Sequence, residues 1–234
     1  MAFDSLSAFV QALRRAGELA EVDAPVDPRL EIAEITDRVV KAGGPALLFR
    51  SVRGSQFPVL TNAFGTQRRM ALALGARSLH DVEERLRATI DLAPPETLGA
   101  KIGRAAGLAL ALRSAIPRRV EEPACREVSI DPPDLTQLPV LTTWPLDGGP
   151  FMTLPLVFTK DPESGRLNVG MYRVQVYDAR TAAMHWQRHK QGRAHAAKWG
   201  RKVPVAIAVG GDPALTYAAT APLPPIVDEL AFAG

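Results

Sequence analysis

Three of the chain's four histidines, His185, His189 and His195, fall within eleven residues, and Arg173 lies a short way upstream. Between them runs "NVGMYRVQVYDARTAAMHWQRHKQGRAH", which also carries an amide at Asn168 and the basic residues Arg188 and Lys190. Imidazole and amide oxygen suit a divalent ion such as Mn²⁺ or Mg²⁺. Guanidinium and ammonium suit a phosphate or carboxylate. A metal that also touches a phosphate would use both halves. The plainer reading is a set of surface or capping histidines beside a solvated strand arginine. The spacing of His185 and His189 is that of a helical metal pair, but the residues around them read as strand running into turn. The two readings stay open on residue types alone.

Other chemistries have weaker support. The chain carries no G-x-S-x-G, H-E-x-x-H, P-loop or G-x-G-x-x-G motif. A single cysteine, Cys125, excludes a zinc ribbon and any internal disulfide, and fits a reducing cytoplasm. No activating base is near Cys125 in sequence, so it reads as structural. Net charge is +3, with 28 basic and 25 acidic residues interleaved, which argues against nucleic acid as the partner. The N-terminus meets acid at Asp4 and turns amphipathic at once, unlike a signal peptide. The apolar stretch 105–116 is too short to span a membrane and reads as a buried helix.

The elements that must position these residues divide into two textures. The first half alternates helix and strand. A helix is predicted over 5–16, with Leu6, Phe9, Val10 and Leu13 on one face and Gly17 as its stop. A strand follows over 18–23. The next helix is predicted to begin with Asp27 as N-cap and Pro28 in the first turn. Ile32, Ile35, Val39 and Val40 form its apolar face, and Gly43-Gly44 end it. Strands at 45–50 and 57–62 and helices at 66–74, 78–90 and 98–115 complete the half. A proline-rich segment from Pro117 to Pro155 can only be loop and short edge strand. The domain boundary is therefore placed at 117: an N-terminal α/β domain over 1–117 and a strand-rich domain over 118–234, an α+β chain overall. Strands are predicted over 154–160, 167–178, 182–188 and 203–211, the middle two joined as a hairpin by Asp178–Thr181. In the first of that pair, Asn168, Gly170, Tyr172 and Val174 share one face, and Val169, Met171, Arg173 and Gln175 the other. A helix is expected to start near 225. An end on "DELAFAG" suggests a boundary inside a larger protein.

The blocks "LEIAEITDRVVKAGGPALLF", "VLTNAFGT", "LPVLTTWPLDGGPFMT", "LNVGMYRVQ" and "DELAFAG", in that order, resemble the UbiD family of reversible, non-oxidative decarboxylases. The resemblance implies a split β-barrel that binds prenylated FMN in the second domain, incomplete at its C-terminal end. It implies decarboxylation of an aromatic or α,β-unsaturated acid, one candidate being 4-hydroxy-3-polyprenylbenzoate in ubiquinone or menaquinone biosynthesis. By the same resemblance Asn168, His189 and Glu229 hold Mn²⁺, with K⁺ as a possible further ion. Thr153, Met171, Tyr172, Arg173, His185, Trp186, Gln187, Lys190 and Gln191 contact the cofactor. Where the family often has Ile-Tyr-Arg, Arg-Trp-Leu and Arg-Gly, this chain has Met171-Tyr172-Arg173, His185-Trp186-Gln187 and Lys190-Gln191. Arg173 would bind the substrate carboxylate. The family's proton-donating acid, the acidic partners of Arg173 and a dimerisation region lie downstream of "DELAFAG". The resemblance further implies a flavin prenyltransferase as cofactor supplier, homo-oligomers of the complete protein, and a cytoplasmic location. The alternative is a non-catalytic flavin-nucleotide-binding module, or a subunit completed by another chain.

Overall fold

The computed structural model describes residues 2–90, 116–117, 120–223 and 227–234. The helix expected over 98–115 lies outside them. The N-terminal unit is a three-stranded sheet between helices. Helix α1 (Leu6–Arg15) begins at Ser5, whose hydroxyl accepts the Ala8 N–H at 3.1 Å, and ends before Gly17 at φ +69°. Strand β1 (Leu19–Val22) pairs parallel with β2 (Ala46–Phe49), which pairs antiparallel with β3 (Val59–Thr61). Alternation along β2 builds two cores. Ala46 joins Phe9 and Leu13 of α1, whereas Leu47 and Phe49 join Ile32 of helix α2 (Glu31–Lys41). Helices α3 (Gln67–Ala73) and α4 (Leu79–Ile90) follow.

Helix α2 starts later than its local sequence predicts. The Asp27 carboxylate accepts the Arg29 N–H, and Glu31 reaches back to the Asp27 N–H. Residues 28–30 are meanwhile paired across the molecule: Leu30 donates to the Thr142 carbonyl at 2.8 Å, and Thr142 donates to that of Pro28 at 3.2 Å. This pairing with the proline-rich segment holds Pro28–Leu30 out of the helix. It leaves Leu30 at φ +68° as the N-cap, with no side-chain cap. Val40, expected on the apolar face, is 48% exposed.

The second unit holds two further three-stranded sheets. One has the order β4 (Phe151–Met152), β7 (Val174–Val176), β8 (Ala182–Met184). The other has the order β6 (Leu167–Met171), β5 (Leu156–Lys160), β9 (Val205–Ala208). All their pairings are antiparallel. The single strand predicted over 167–178 is thus two strands in different sheets, broken at Tyr172-Arg173. The hairpin turn is as expected: the Asp178 carboxylate accepts the N–H groups of Arg180 and Thr181 at 2.8 Å each. The strand predicted over 182–188 ends at Met184.

Three helices cover the β6-β5-β9 sheet. Leu156 and Val169 on one face meet Leu215 of α6 (Pro213–Ala218) and Leu230 of α7 (Glu229–Ala233). Thr159 on the opposite face meets α5 (Gln191–Trp199). Neither α5 nor α6 was predicted. Asp212-Pro213, an N-cap followed by proline in the first turn, is the signal that marks α6. No helix among the described residues is long and apolar enough to cross a membrane.

Two features tie α5 in place. At its C-terminal end, Lys198 donates to the Asp161 carboxylate at 2.7 Å, and Trp199 donates to the Lys160 carbonyl at 2.7 Å. At its N-terminal end, the Gly192 N–H donates to the Tyr172 hydroxyl at 3.2 Å. The Tyr172 ring lies over Gly170, where a Cβ would fall 2.3 Å from the phenolic oxygen.

Lys198 first, then the backbone N–H groups of Glu163 and Ser164, hold the Asp161 carboxyl well below the usual carboxylate range. A lowered folded-state value gives stability that is complete above the unfolded pKa of about 3.9 and is lost as pH falls through the folded value. Asp161→Asn is therefore expected to lower Tm at neutral pH, and the gap to the parent chain should close as pH drops below about 4. Thermal unfolding across that range checks it. Gly170→Ala is expected to cost roughly 1–3 kcal/mol by overpacking and to weaken the near-ultraviolet dichroism of Tyr172 and Trp186. Urea unfolding and circular dichroism read both effects.

Candidate functional site

A cavity of about 350 Å³ opens where the two sheets of the second unit meet. Its lining is Thr153, Met171, Tyr172, Arg173, His185, Gln187 and Lys190, seven of the nine residues expected to contact a cofactor. The lining comes from four places in the chain. Thr153 follows β4, Met171 ends β6, and Tyr172-Arg173 form the crossover to β7. His185, Gln187 and Lys190 come from the segment between β8 and α5. The crossover is what lets one short segment serve both sheets: the Arg173 carbonyl accepts the His185 N–H at 3.2 Å, and the Met171 N–H reaches the Ala219 carbonyl at 3.3 Å.

Trp186 packs edge-on against Tyr172, ring centroids 6.3 Å apart at 82°. Its indole N–H is buried and has no hydrogen-bond partner. A buried donor left unpaired is costly; Trp186 is not among the residues that line the cavity. Gln191, the ninth expected contact, is the first residue of α5, directly after Lys190.

Arg173 is exposed, yet its guanidinium is not loose. It lies over the Phe151 ring, 5.0 Å from the centroid. Asp147 stands close enough to feel its charge. The Asp147 carboxyl is lowered chiefly by its bond from the Thr143 hydroxyl, and Arg173 adds to the effect. Phe151 was not anticipated as part of the site. Its register opposite Gln175 in the β4-β7 pair sets it beside the arginine, and that pairing is not visible from a two-residue strand.

The three residues expected around a metal are placed differently from one another. Asn168 is buried on β6, its Nδ2 3.3 Å from Thr159 Oγ1 and 3.5 Å from the Tyr172 hydroxyl. Glu229 is half-buried at the start of α7, and its Oε2 accepts the Val169 N–H at 3.2 Å. These two therefore converge on the same strand. Burial pushes the Glu229 carboxyl up, opposed by the Val169 N–H. A bound cation would reverse that direction. His189 sits in the turn ahead of α5 with its ring exposed. No cluster of three His, Cys, Asp or Glu side chains is gathered among the described residues; the expected set has only two of those types and an amide. His185 and His189 do not share a helix, in keeping with a strand-to-turn reading of that stretch.

Chemically the cavity offers a guanidinium, an ammonium and an imidazole, with the Tyr172 ring on its wall and the side-chain oxygens of Thr159 and Asn168 on the strands behind. An anionic, partly aromatic ligand fits that set.

Comparison with known proteins gives the family and the fold. Residues 118–234 match the model of the 3-octaprenyl-4-hydroxybenzoate carboxy-lyase Rift-related domain, and residues 10–89 match that of the carboxy-lyase N-terminal domain. An uncharacterized protein of Archaeoglobus fulgidus is 47% identical over 238 residues, a match covering 100% of this chain and 49% of that protein. Two solved structures share the fold. An evolved dimeric form of the UbiD-class enzyme HmfF from Pelotomaculum thermopropionicum, in complex with prFMN, superposes with a TM-score of 0.77 at 28% identity, over 99% of this chain and 50% of that one. The closed form of vanillic acid decarboxylase from Sedimentibacter hydroxybenzoicus gives a TM-score of 0.84 at 26% identity, over 100% and 48%. The chain thus spans about half the length of the relatives it matches. With both halves of its length matched to the two domain models of one family, the chain belongs to the UbiD family.

Proposed function

We propose that this chain is the cofactor-bearing part of a decarboxylase that releases CO₂ from an aromatic or α,β-unsaturated carboxylic acid. The observation that carries the reading is the cavity lined by Thr153, Met171, Tyr172, Arg173, His185, Gln187 and Lys190. Arg173 and Lys190 on that lining suit an anionic ligand. The structures of related enzymes with prFMN or aromatic-acid names support the class of cofactor and substrate.

In this reading Lys190 and His185 take the phosphate of prenylated FMN, and Tyr172 and Trp186 wall its ring. Asn168, His189 and Glu229 hold Mn²⁺, with K⁺ as a further candidate, to offset the phosphate charge. Arg173 grips the substrate carboxylate through its planar fork, which stays charged at neutral pH. The Phe151 ring beneath keeps that fork from folding away before substrate arrives. When bound, prenylated FMN supplies the electron sink for the electrons left as CO₂ departs. The proton that replaces CO₂ on carbon comes from an acid that the family resemblance sets beyond Gly234. The two sheets of residues 118–234 form part of a split β-barrel, with 1–117 as the α/β domain beside it. Among substrates, 4-hydroxy-3-polyprenylbenzoate of quinone biosynthesis is one candidate. The complete protein acts as a homo-oligomer in the cytoplasm, supplied by a flavin prenyltransferase.

The test is coexpression of the chain with a flavin prenyltransferase, followed by absorbance and manganese assays. Stoichiometric flavin and metal are expected; a purified, folded chain with neither would sink the reading. In the flavin-loaded chain, Arg173→Ala should keep the flavin spectrum but weaken an aromatic carboxylate's perturbation of it by roughly tenfold or more, the order of a lost charge-assisted hydrogen bond of about 1.5–3 kcal/mol. Unchanged carboxylate affinity would remove Arg173 from substrate binding.

A further inference from the structure

Behind the cavity wall lies a buried polar chain in which Thr159 and His195 have no role above. Thr159 is 1% exposed, and Asn168 and His195 are 3% exposed each. Thr159 Oγ1 sits 3.0 Å from His195 Nδ1 and 3.3 Å from Asn168 Nδ2. The amide nitrogen also lies 3.5 Å from the Tyr172 hydroxyl oxygen, which already accepts the Gly192 N–H.

The Thr159 hydroxyl has one proton, so the direction of this chain is set at one end. If His195 Nδ1 is bare, Thr159 donates to it and must accept from Asn168. The amide then spends both its N–H groups inward, on Thr159 and Tyr172, and its oxygen turns out. If Nδ1 carries the proton, it donates to Thr159, whose oxygen can still accept from Asn168 or whose proton can pass to the amide oxygen, so the amide's orientation is no longer imposed. In the structure the amide nitrogen faces inward, toward Thr159 and Tyr172, as the first arrangement requires. Desolvation first, with the Lys198 and Arg166 charges adding and Asp161 opposing, pushes the imidazole below its ordinary range and so favours the neutral ring that a bare Nδ1 needs.

We propose that His195, acting through Thr159, is the positioning residue that turns the Asn168 amide oxygen outward as a cation ligand. The inference rests on the manganese reading given above, and it concerns a residue that touches neither metal nor cofactor.

The test uses the full chain and manganese itself. Thr159→Val keeps the side-chain shape and removes both bonds. Its manganese Kd, from electron paramagnetic resonance titration, should rise about 10–100-fold, the usual effect of losing a ligand's outer support. Adding Asn168→Asp should restore binding, because a carboxylate offers oxygen whichever way it turns; a packing defect would not be rescued this way. Manganese affinity unchanged in Thr159→Val, or no rescue in the double variant, overturns the proposal. Nitrogen-15 spectra of the parent chain give a readout without metal: Nδ1 of His195 is expected bare, and a protonated Nδ1 overturns the positioning role of His195. A bare Nδ1 in a parent chain that binds no manganese overturns the manganese reading and leaves the amide orientation standing.

Discussion

Tyr172 can fold back over its own strand because residue 170 has no Cβ to meet it. Most of the site follows from that contact. The ring fills the space over Gly170, and its hydroxyl reaches the Gly192 N–H, which fixes the first turn of α5. Lys190 and Gln191 take their places from that turn. The backbone meanwhile leaves one sheet at Met171 and enters the other at Val174, so that Arg173 projects between them. Gly192 repeats the requirement from the other side, since a Cβ there would lie 3.1 Å from the same phenolic oxygen. Two glycines on separate elements thus enclose one tyrosine, and Trp186 packs edge-on against that ring.

Charge is sorted across the same tyrosine. The cations that line the cavity, Arg173, Lys190 and His185 when protonated, stand on its open side. The amide, hydroxyl and imidazole of Asn168, Thr159 and His195 stand on its closed side, where none carries a charge and each has a hydrogen-bond partner. This division has a physical basis. A charge in the closed layer would have to be desolvated without an ion pair, whereas neutral polar groups there need only find one another. Glu229 lies at the margin. It is buried enough for its carboxyl to be pushed up and close enough to β6 to accept a backbone N–H.

The sequence shows best those parts in which local pattern and tertiary environment agree. Leu6, Phe9, Val10 and Leu13 mark α1 because a helix against a sheet needs that stripe, and Asp178 marks the hairpin because its carboxylate satisfies the turn by itself. Helix α2 starts late because Thr142, more than a hundred residues on, takes the Pro28 carbonyl and the Leu30 N–H and so holds residues 28–30 out of the helix. The strand break at Tyr172-Arg173 did leave a trace. The apolar alternation runs through Leu167, Val169 and Met171 and then slips by one to Tyr172, Val174 and Val176, at the point where the chain changes partner strand. Helix α5 was missed because its buried positions are Gly192, His195 and Ala196, which give no apolar stripe. For the site, Met171, Tyr172, Arg173, His185, Gln187 and Lys190 line one cavity, whereas Trp186 and Gln191 are not in its lining. Thr159 and Phe151 could be reached only through strand register, in the pairs Thr159 with Asn168 and Phe151 with Gln175.

The exposure of Arg173 bears on how such a cavity can work. At 4 Å, two unit charges in water attract by only about 1 kcal/mol, against about 4 kcal/mol near a protein surface of lower effective dielectric. A guanidinium open to solvent therefore gains little from charge alone, and its value lies in how much freedom it has already given up. Stacking on Phe151 confines the fork before a carboxylate arrives, so less rotamer freedom is lost on binding. Asp147 sets a limit on this. It is near enough to compete for the guanidinium, but its Oδ2 is held by the Thr143 hydroxyl and by the N–H groups of Thr143 and Trp144. Three bonds to that one oxygen tie the acid to its own loop. An exposed arginine whose acidic neighbour is anchored in this way can select an incoming carboxylate rather than settle on that neighbour.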